Sequence, residues 1–164
     1  MSVSISLLAD YSQIAEAITS AIQKEWPDWY SSRGDAVYDV RNSCRRHELP
    51  VRFVALNGEK LVGTICLKQH STDNHTHLSP WLAGLWVEPS HRYGRIGFQL
   101  MCAASDHARL MGFSALYAST ARERNPSKLW HRIGCDTESG DPVVIFRLAL
   151  PRSKSLRAIS PPSR

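Results

Sequence analysis

The stretch at residues 81–110, WLAGLWVEPSHRYGRIGFQLMCAASDHARL, decides the fold that this sequence predicts. Its first seven residues carry no charge, which is typical of a short, buried β-strand. A turn follows at residues 88–90, and a basic loop with two glycines occupies residues 91–97. From Ile96 onward, apolar residues recur at helical spacing. The stretch therefore predicts a strand, a loop and a helix in direct succession.

The loop between this strand and this helix is suited to bind an anion. A helix N-terminus presents unpaired backbone N–H groups and the positive end of the helix dipole. Arg92 and Arg95 flank these groups and can add charge-assisted hydrogen bonds. The predicted ligand of the loop is an anion such as a pyrophosphate.

These residues also resemble a known family. The pattern V-x-P-x-x-R-x-x-x-I-G-x-x-L is similar to the acyl-CoA-binding segment of the GNAT superfamily of N-acyltransferases. The residues that form it here are Val87, Pro89, Arg92, Ile96, Gly97 and Leu100. The usual loop of that family reads Arg/Gln-x-x-Gly-x-Gly/Ala, whereas this chain has Arg95 at the first glycine and Gly94 one place early.

The resemblance implies acetyl-CoA as the co-substrate and implies no metal. The pyrophosphate is expected against the loop, and the pantetheine arm is expected against the backbone of the preceding strand. The implied cofactor-binding residues are Leu85, Trp86, Val87, Arg92, Tyr93, Gly94, Arg95, Ile96, Gly97 and Asn125.

Length and composition predict one domain and a tail. A chain of 164 residues with 43% hydrophobic residues is long enough for one domain with a core. We expect this domain at residues 1–150. Residues 151–164 form a basic tail rich in proline and serine, which we expect to be disordered. The formal net charge of +5 favours anionic partners, and part of that charge lies in the tail.

Cysteine usage and the N-terminus predict a soluble, cytoplasmic protein. The four cysteines are widely separated, without a CxxC pair, and are expected to be reduced thiols. The first residues, MSVSISLLADYSQ, lack the features of a signal peptide, and no apolar run approaches the length of a membrane span. No membrane partner is therefore expected.

The remaining elements follow from local patterns. A capping box at residues 10–13 predicts the start of a first helix, which ends before Pro27, and a second helix is predicted at residues 35–47 with Val37 and Val40 inward. Asn57 and Gly58 predict a hairpin turn, and Asn125 opens a short late helix. Strands are predicted at residues 3–8, 51–56, 60–68, 81–87, 114–120 and 143–150.

This order, β-α-α-β-β-β-α-β-α-β, is the one that the resemblance implies, so the resemblance covers nearly all of residues 1–150. The predicted fold class is α/β (α+β), with a GNAT-like mixed, mostly antiparallel central sheet flanked by helices. In that fold the sheet is splayed between its fourth and fifth strands, here residues 82–87 and 115–119. The pantetheine arm is expected to lie in the gap.

Two segments have alternative interpretations. Trp26, Trp29 and Tyr30 fall in a predicted loop, where aromatic rings either line a substrate pocket or cap a core, and the core is favoured. His75 and His77 are spaced as two ligands on one face of an extended chain. Because no cysteine or carboxylate set at metal spacing accompanies them, solvated histidines are favoured over a metal site.

Acyl transfer to an amine requires a neutral nucleophile, donors for the developing oxyanion and a proton for the leaving thiolate. In the family, a tyrosine in the pattern Tyr-x-x-x-Gly-Phe often gives that proton. Trp130 stands at the matching position, and an indole N–H cannot act as an acid near neutral pH. The frequent glutamate base on the central strand has no counterpart in residues 82–87 either.

The catalytic candidates are His77, Ser119 and Trp130, with Tyr117 and His131 as further candidates for the base. Packing or solvent exposure is an alternative explanation for each of them. His131 has the least support, because its neighbour Trp130 would use the inward face.

The sequence therefore predicts an N-acetyltransferase that transfers an acetyl group from acetyl-CoA to a primary amine of a small molecule or of a peptide or protein. The alternative is a non-catalytic acyl-CoA-binding member of the same fold. An RNA-binding module is less consistent with the sequence, because the basic residues divide between the loop and the tail, so no nucleic-acid partner is expected. The sequence leaves open whether the protein forms a homodimer.

Overall fold

A computed structural model describes residues 2–70, 75–121, 136–139 and 143–151. Within these ranges the strands are β1 (Val3–Leu7), β2 (Val51–Asn57), β3 (Lys60–Lys68), β4 (Trp81–Val87), β5 (Ala115–Ala121), β6 (Asp136–Ser139) and β7 (Val143–Ala149). The α-helices are α1 (Ala15–Glu25), α2 (Pro27–Ser32), α3 (Ala36–Asn42) and α4 (Ile96–Leu110). The predicted helix that opens at Asn125 and nearly all of the predicted tail lie outside the described residues.

The strands form one sheet in the order β1-β2-β3-β4-β5-β7-β6. Neighbouring strands are antiparallel except β4 and β5, which are parallel. These two strands pair only at Trp81 with Tyr117 and at Leu82 with Ala118, so they diverge beyond Leu82. The mixed, mostly antiparallel sheet and its splay between the fourth and fifth strands are confirmed.

Each face of the sheet carries its own core. The α4 face is the side on which α4 buries its apolar stripe against Val51, Phe53 and Ala55 of β2. The α1 face is the opposite side, where α1 and α3 pack against Val54 and Leu56. Because side chains alternate along a strand, β2 contributes to both cores. The predicted period of α4 is confirmed by its buried residues, which are Ile96, Leu100, Met101, Ala104 and Ala108.

The start of the first helix differs from the prediction. The segments Leu8–Asp10 and Ser12–Ile14 form 3-10 turns, and α1 begins at Ala15 without a side-chain cap. The carboxylate of Asp10 forms an ion pair with Arg46 instead of capping the helix. The predicted capping box is therefore wrong, because the Asp10 side chain forms a tertiary ion pair with Arg46 instead.

The second and third helices also differ from the prediction. The aromatic segment predicted as a loop is helical in α2, where Pro27 takes the first position that suits its fixed φ angle. The helix α3 begins as predicted, because Asp35 Oδ1 accepts the Tyr38 N–H at 2.9 Å, but it ends at Asn42. Val37 is 43% exposed, so only Val40 of the two predicted inward residues is buried.

Candidate active site

A β-bulge interrupts β4 where the sheet splays. Thr64 pairs with Trp86 and Cys66 pairs with Ala83, so Gly84 and Leu85 together lie opposite a single residue of β3. Gly84 has a φ of 61°, in the left-handed region that glycine adopts without steric cost. The bulge therefore leaves backbone groups of β4 outside the regular ladder, beside the gap toward β5.

The loop before α4 ends in a left-handed residue. Arg95 has a φ of 68° and a ψ of −4°, and it is the N-cap of α4 without a side-chain capping bond. Tyr93 also has a φ of 68°. Arg95 occupies the first glycine position of the family loop, so a residue with a Cβ holds the backbone conformation that glycine favours.

The amides at the N-terminus of α4 are available to a ligand. The Gln99 N–H donates to the Arg95 carbonyl oxygen at 2.9 Å, and this is the first bond of the helix. No side chain in the described part of the protein caps the helix at this end. The preceding amides, with the positive end of the helix dipole, therefore form a suitable site for an anion.

Arg92 connects this loop to two other elements. Its Nε donates to the Val87 carbonyl oxygen at 2.9 Å, at the end of β4. Its Nη2 donates to the Glu25 carboxylate at 3.1 Å, at the end of α1. In this conformation the guanidinium fixes the loop to its surroundings, and binding of a phosphate by Arg92 stays a prediction.

A cleft of about 150 Å³ opens on the α1 face of the sheet and reaches the bulge. It is lined by Ile22, Trp26, Trp29, Tyr30, Arg52, Cys66, Lys68, Ala83 and Gly84. The aromatic segment thus lines a pocket, which was the less favoured of its two interpretations. Both interpretations hold in part, because Trp26 and Tyr30 also pack against the core of the α1 face.

A buried arginine forms part of the cleft floor. Arg52 is 2% exposed, and its Nε donates to Ser43 Oγ at 2.9 Å. Its Nη1 contacts Thr64 Oγ1 at 3.5 Å, a long contact to a neutral acceptor. Among the described residues, no carboxylate forms an ion pair with Arg52. A buried charge without a counterion is costly, so this guanidinium is suited to bind an anion from outside the described chain.

Tyr30 adds a neutral donor to the cleft. Its hydroxyl donates to Asp39 Oδ2 at 3.3 Å, and Lys68 Nζ lies 3.9 Å from the same oxygen. Burial and then the negative charge of Asp39 raise the pKa of Tyr30 to about 12, although Arg52 acts in the opposite direction. The phenol therefore stays protonated at neutral pH and is no base.

The predicted catalytic residues occupy different places. His77 is exposed in the loop before β4 and does not line the cleft. Leu116 and Ala118 of β5 belong to the α4 face, so alternation turns Ser119 and Tyr117 toward the α1 face. The last β4–β5 pair is Leu82 with Ala118, so Ala83 and Ser119 are the next residues of the two strands, on either side of the splayed gap. Trp130 and His131 lie outside the described residues, as does the predicted cofactor-binding Asn125.

The two histidines of the loop before β4 have different surroundings, since His77 is exposed and His75 is half-buried. The rings of His75 and His77 lie 6.2 Å apart, and that of His75 lies 6.4 Å from Trp81. In the described ranges, no group of three or more histidine, cysteine or acidic side chains could hold a metal ion. None of the helices described there has the length and apolarity needed to cross a membrane.

Sequence patterns did not indicate the charged floor of the cleft. Arg52 had a usable signal, because it is the single charged residue in the run VRFVAL at residues 51–56. Lys68 and Asp39 had none, since each looks like an ordinary surface residue until the fold brings them together.

Comparison with known proteins gives one family and many similar folds. A family model described as "Acetyltransferase (GNAT) family" matches residues 17–134. Among solved structures, aminoglycoside 6'-acetyltransferase type Ii is 17% identical, with 93% of this chain and 100% of that chain covered at a TM-score of 0.71. No curated protein matches the sequence.

Two further structures are crystallised with coenzyme A. N-acetylglutamate synthase from Neisseria gonorrhoeae, complexed with coenzyme A and N-acetyl-glutamate, is 20% identical, with 93% of this chain and 36% of that chain covered at a TM-score of 0.69. The PaiA N-acetyltransferase from Thermoplasma acidophilum, in complex with coenzyme A, is 16% identical, with 91% and 99% covered at a TM-score of 0.65. At these identities the likeness concerns the fold alone.

Proposed function

The chain belongs to the GNAT family of acetyltransferases, and we propose on that premise that it transfers an acetyl group from acetyl-CoA to a primary amine of a small molecule or peptide. Transfer forms a C–N bond and breaks the C–S bond of the thioester, and the proton that the amine loses balances the released thiol. The observation that carries this proposal is the bulge at Gly84, which lies beside the splayed gap and lines the cleft.

The N-terminus of α4 and the gap between β4 and β5 suit acetyl-CoA. The anion-binding amides at the N-terminus of α4 suit the pyrophosphate, and Arg95 adds a positive charge next to them. The gap between β4 and β5 suits a narrow pantetheine arm, along the backbone at Leu85 and Val87. When bound there, acetyl-CoA supplies an acetyl group activated as a thioester.

The cleft suits an amine acceptor, and its charges assist the chemistry. Acyl transfer needs the amine in its neutral form. Positive charges at Arg52 and Lys68 disfavour a third cation in the cleft, so they lower the pKa of an ammonium group bound there. This effect helps a site in which β4 supplies no carboxylate base. Backbone N–H groups at the bulge are suited to stabilise the developing oxyanion.

For proton transfer we propose Ser119 rather than His77. Two observations support this choice: Ser119 belongs to a strand that borders the splayed gap and alternates toward the α1 face, whereas His77 is exposed in the loop before β4. Tyr30 is neutral and its proton is donated to Asp39, so its hydroxyl oxygen can accept a hydrogen bond from the acceptor. Trp130 stays a prediction as a shape-determining residue near the thiol.

The related folds do not determine the acceptor. One similar structure is an aminoglycoside acetyltransferase, and another carries N-acetyl-glutamate, so this fold serves amines of opposite charge. The acceptor of this chain must therefore be found by experiment and by the chemistry of its own cleft.

A panel of amines tests the proposal. Release of the coenzyme A thiol is followed with acetyl-CoA and with cationic amines, amino acids and short peptides, and a reaction without an amine is the control. We expect amine-dependent release with a mass increase of the acceptor by one acetyl group. Tight binding of coenzyme A without release for any amine would instead support the non-catalytic alternative.

A further inference from the structure

The cleft contains a buried arginine, Arg52, which has no carboxylate partner among the described residues. Arg52 is buried and lines the cleft, and its guanidinium bonds only to the hydroxyls of Ser43 and Thr64 among the described residues. Two neutral oxygens leave the positive charge uncompensated. A guanidinium presents its donors in a planar fork that matches a carboxylate in a bidentate geometry.

The neighbouring charges do not supply this partner. Asp39 is engaged by the Tyr30 hydroxyl at 3.3 Å and lies 3.9 Å from Lys68 Nζ. Tyr30 is neutral because burial raises its pKa to about 12. The described groups around the cleft floor therefore carry two positive charges and one negative charge. Such a site attracts an anionic group and repels a ligand with several positive charges.

The walls of the cleft are apolar. The apolar lining consists of Ile22 in α1, Trp26 between α1 and α2, and Trp29 in α2, and these side chains carry no charge. A ligand that fits both the floor and the walls has an anionic group and an apolar side chain.

The sheet geometry limits the distance between the reacting amine and the anionic group. Arg52 pairs with Cys66, and Cys66 pairs with Ala83 at the bulge. Two strand spacings of about 4.8 Å place the backbones of Arg52 and Ala83 roughly 10 Å apart. Because the arginine side chain also lines the cleft, its guanidinium can reach a carboxylate only a few bonds from an amine at the bulge.

We propose that the acceptor is a carboxylate-bearing amine with an apolar side chain, such as a free amino acid, and that Arg52 binds its carboxylate. This inference rests on the proposed function for the identity of the reacting group. It also predicts that a polycationic amine is a poor acceptor, although one protein of similar fold acts on aminoglycosides.

Matched ligand pairs test the carboxylate directly. N-acetyl derivatives of phenylalanine, leucine, methionine and valine, and the corresponding amides, are titrated into the full chain by calorimetry in the presence of coenzyme A. Within each pair the ligands differ only in the carboxylate. We expect at least one acid to bind ten-fold or more tightly than its amide. If no acid exceeds its amide by more than two-fold, the inference is overturned.

Substitutions then assign the effect to Arg52. Arg52→Met removes the charge and keeps the length, so the acid should bind like the amide, while Arg52→Lys should restore part of the preference. Arg41→Met is the matched control, because Arg41 is an exposed arginine of α3 that does not line the cleft. An acid preference that persists in Arg52→Met would contradict the role of Arg52. If Arg52→Met fails to fold, the acid preference of Arg52→Lys compared with that of the wild type still tests whether Arg52 binds the carboxylate.

Turnover separates this inference from the proposed function. Phenylalanine, phenylalaninamide and kanamycin are compared as acceptors under identical conditions. Transfer to kanamycin as fast as to any amino acid would overturn the inference while the acetyltransferase function stands. Acid-selective binding without transfer to any amine would support the carboxylate site and contradict the proposed acetyltransferase function.

Discussion

The loop before α4 and the cleft on the α1 face differ in how they are built. The loop consists of consecutive residues, and its binding groups are backbone amides positioned by left-handed residues such as Arg95. The cleft is assembled from α1, α2, β2, β3 and β4, and its binding groups are side chains such as Arg52 and Tyr30. Cofactor binding should thus depend on the backbone path, whereas the choice of acceptor should depend on individual side chains.

The bulge at Gly84 lines the cleft beside the splayed gap, and a change there should give the largest effect. Gly84→Ala places a Cβ on a residue with a φ of 61°, although no atom lies within 4 Å of that Cβ. The strain should shift the backbone donors beside the gap. We expect turnover to fall about 100-fold, the typical loss when one oxyanion donor is misplaced. The measurement is single-turnover transfer to the best amine of the panel.

Gly58→Ala is the matched control for this change. Gly58 has a φ of 64° in the hairpin turn between β2 and β3, and it also has open space around its Cβ position. Both variants should lose about 1–2 kcal/mol of stability in denaturant unfolding, the usual cost of a left-handed non-glycine residue. Only Gly84→Ala should lose activity. Equal activity in the two variants would show that the bulge has no catalytic role.

Arg95 tests the dependence of the loop on charge and backbone. Arg95→Gly keeps the left-handed path and removes the charge, and it should weaken coenzyme A binding by about ten-fold or more, since a charge-assisted hydrogen bond contributes about 1.5–3 kcal/mol. Arg95→Val also disfavours the left-handed path and should weaken binding further. Calorimetry with coenzyme A measures both. Coenzyme A affinities within two-fold of the wild type in both variants would show that Arg95 does not contribute to anion binding.

The contact between Glu25 and Arg92 joins the two regions, and we expect the smallest effect there. Glu25 ends α1, whose Ile22 lines the cleft, and its carboxylate bonds the Arg92 guanidinium at 3.1 Å. In Glu25→Gln, the guanidinium loses a competitor for phosphate, so coenzyme A should bind up to a few-fold more tightly. Stability should change by less than about 1 kcal/mol, because exposed ion pairs contribute little. Weaker binding in Glu25→Gln would mean that the ion pair holds the loop in its active path.

The sequence predicted the fold where local patterns agree with tertiary structure. The run Trp81–Val87 is an uncharged strand, and Asn57 with Gly58 gives a hairpin, so both elements are found as predicted. The splay between the fourth and fifth strands came from the resemblance, because no local pattern encodes it. The loop before α4 also lies between its strand and helix as predicted, because its residues are consecutive, and anion binding by this loop stays a prediction.

Other features depend on contacts that local patterns do not reveal. The strand Asp136–Ser139 has no alternation of apolar and polar residues, and it forms because β7 offers its edge. The aromatic residues of α2, Trp29 and Tyr30, follow no helical period, yet both line the cleft and Tyr30 also packs against the core of the α1 face. Arg52 was visible as a charge in an apolar run, but only its neighbours in space show that no carboxylate of the described ranges pairs with it.

The binding position of coenzyme A tests the central claim most directly. Amide shifts of ¹⁵N-labelled protein are recorded during titration with coenzyme A, and the titration is repeated with pantetheine, which lacks the pyrophosphate. We predict that coenzyme A shifts the amides of Ile96 and Gly97 and those of Leu85 and Val87, whereas pantetheine shifts only the second pair. Saturation with coenzyme A that leaves the amides of Ile96 and Gly97 unchanged would contradict the account.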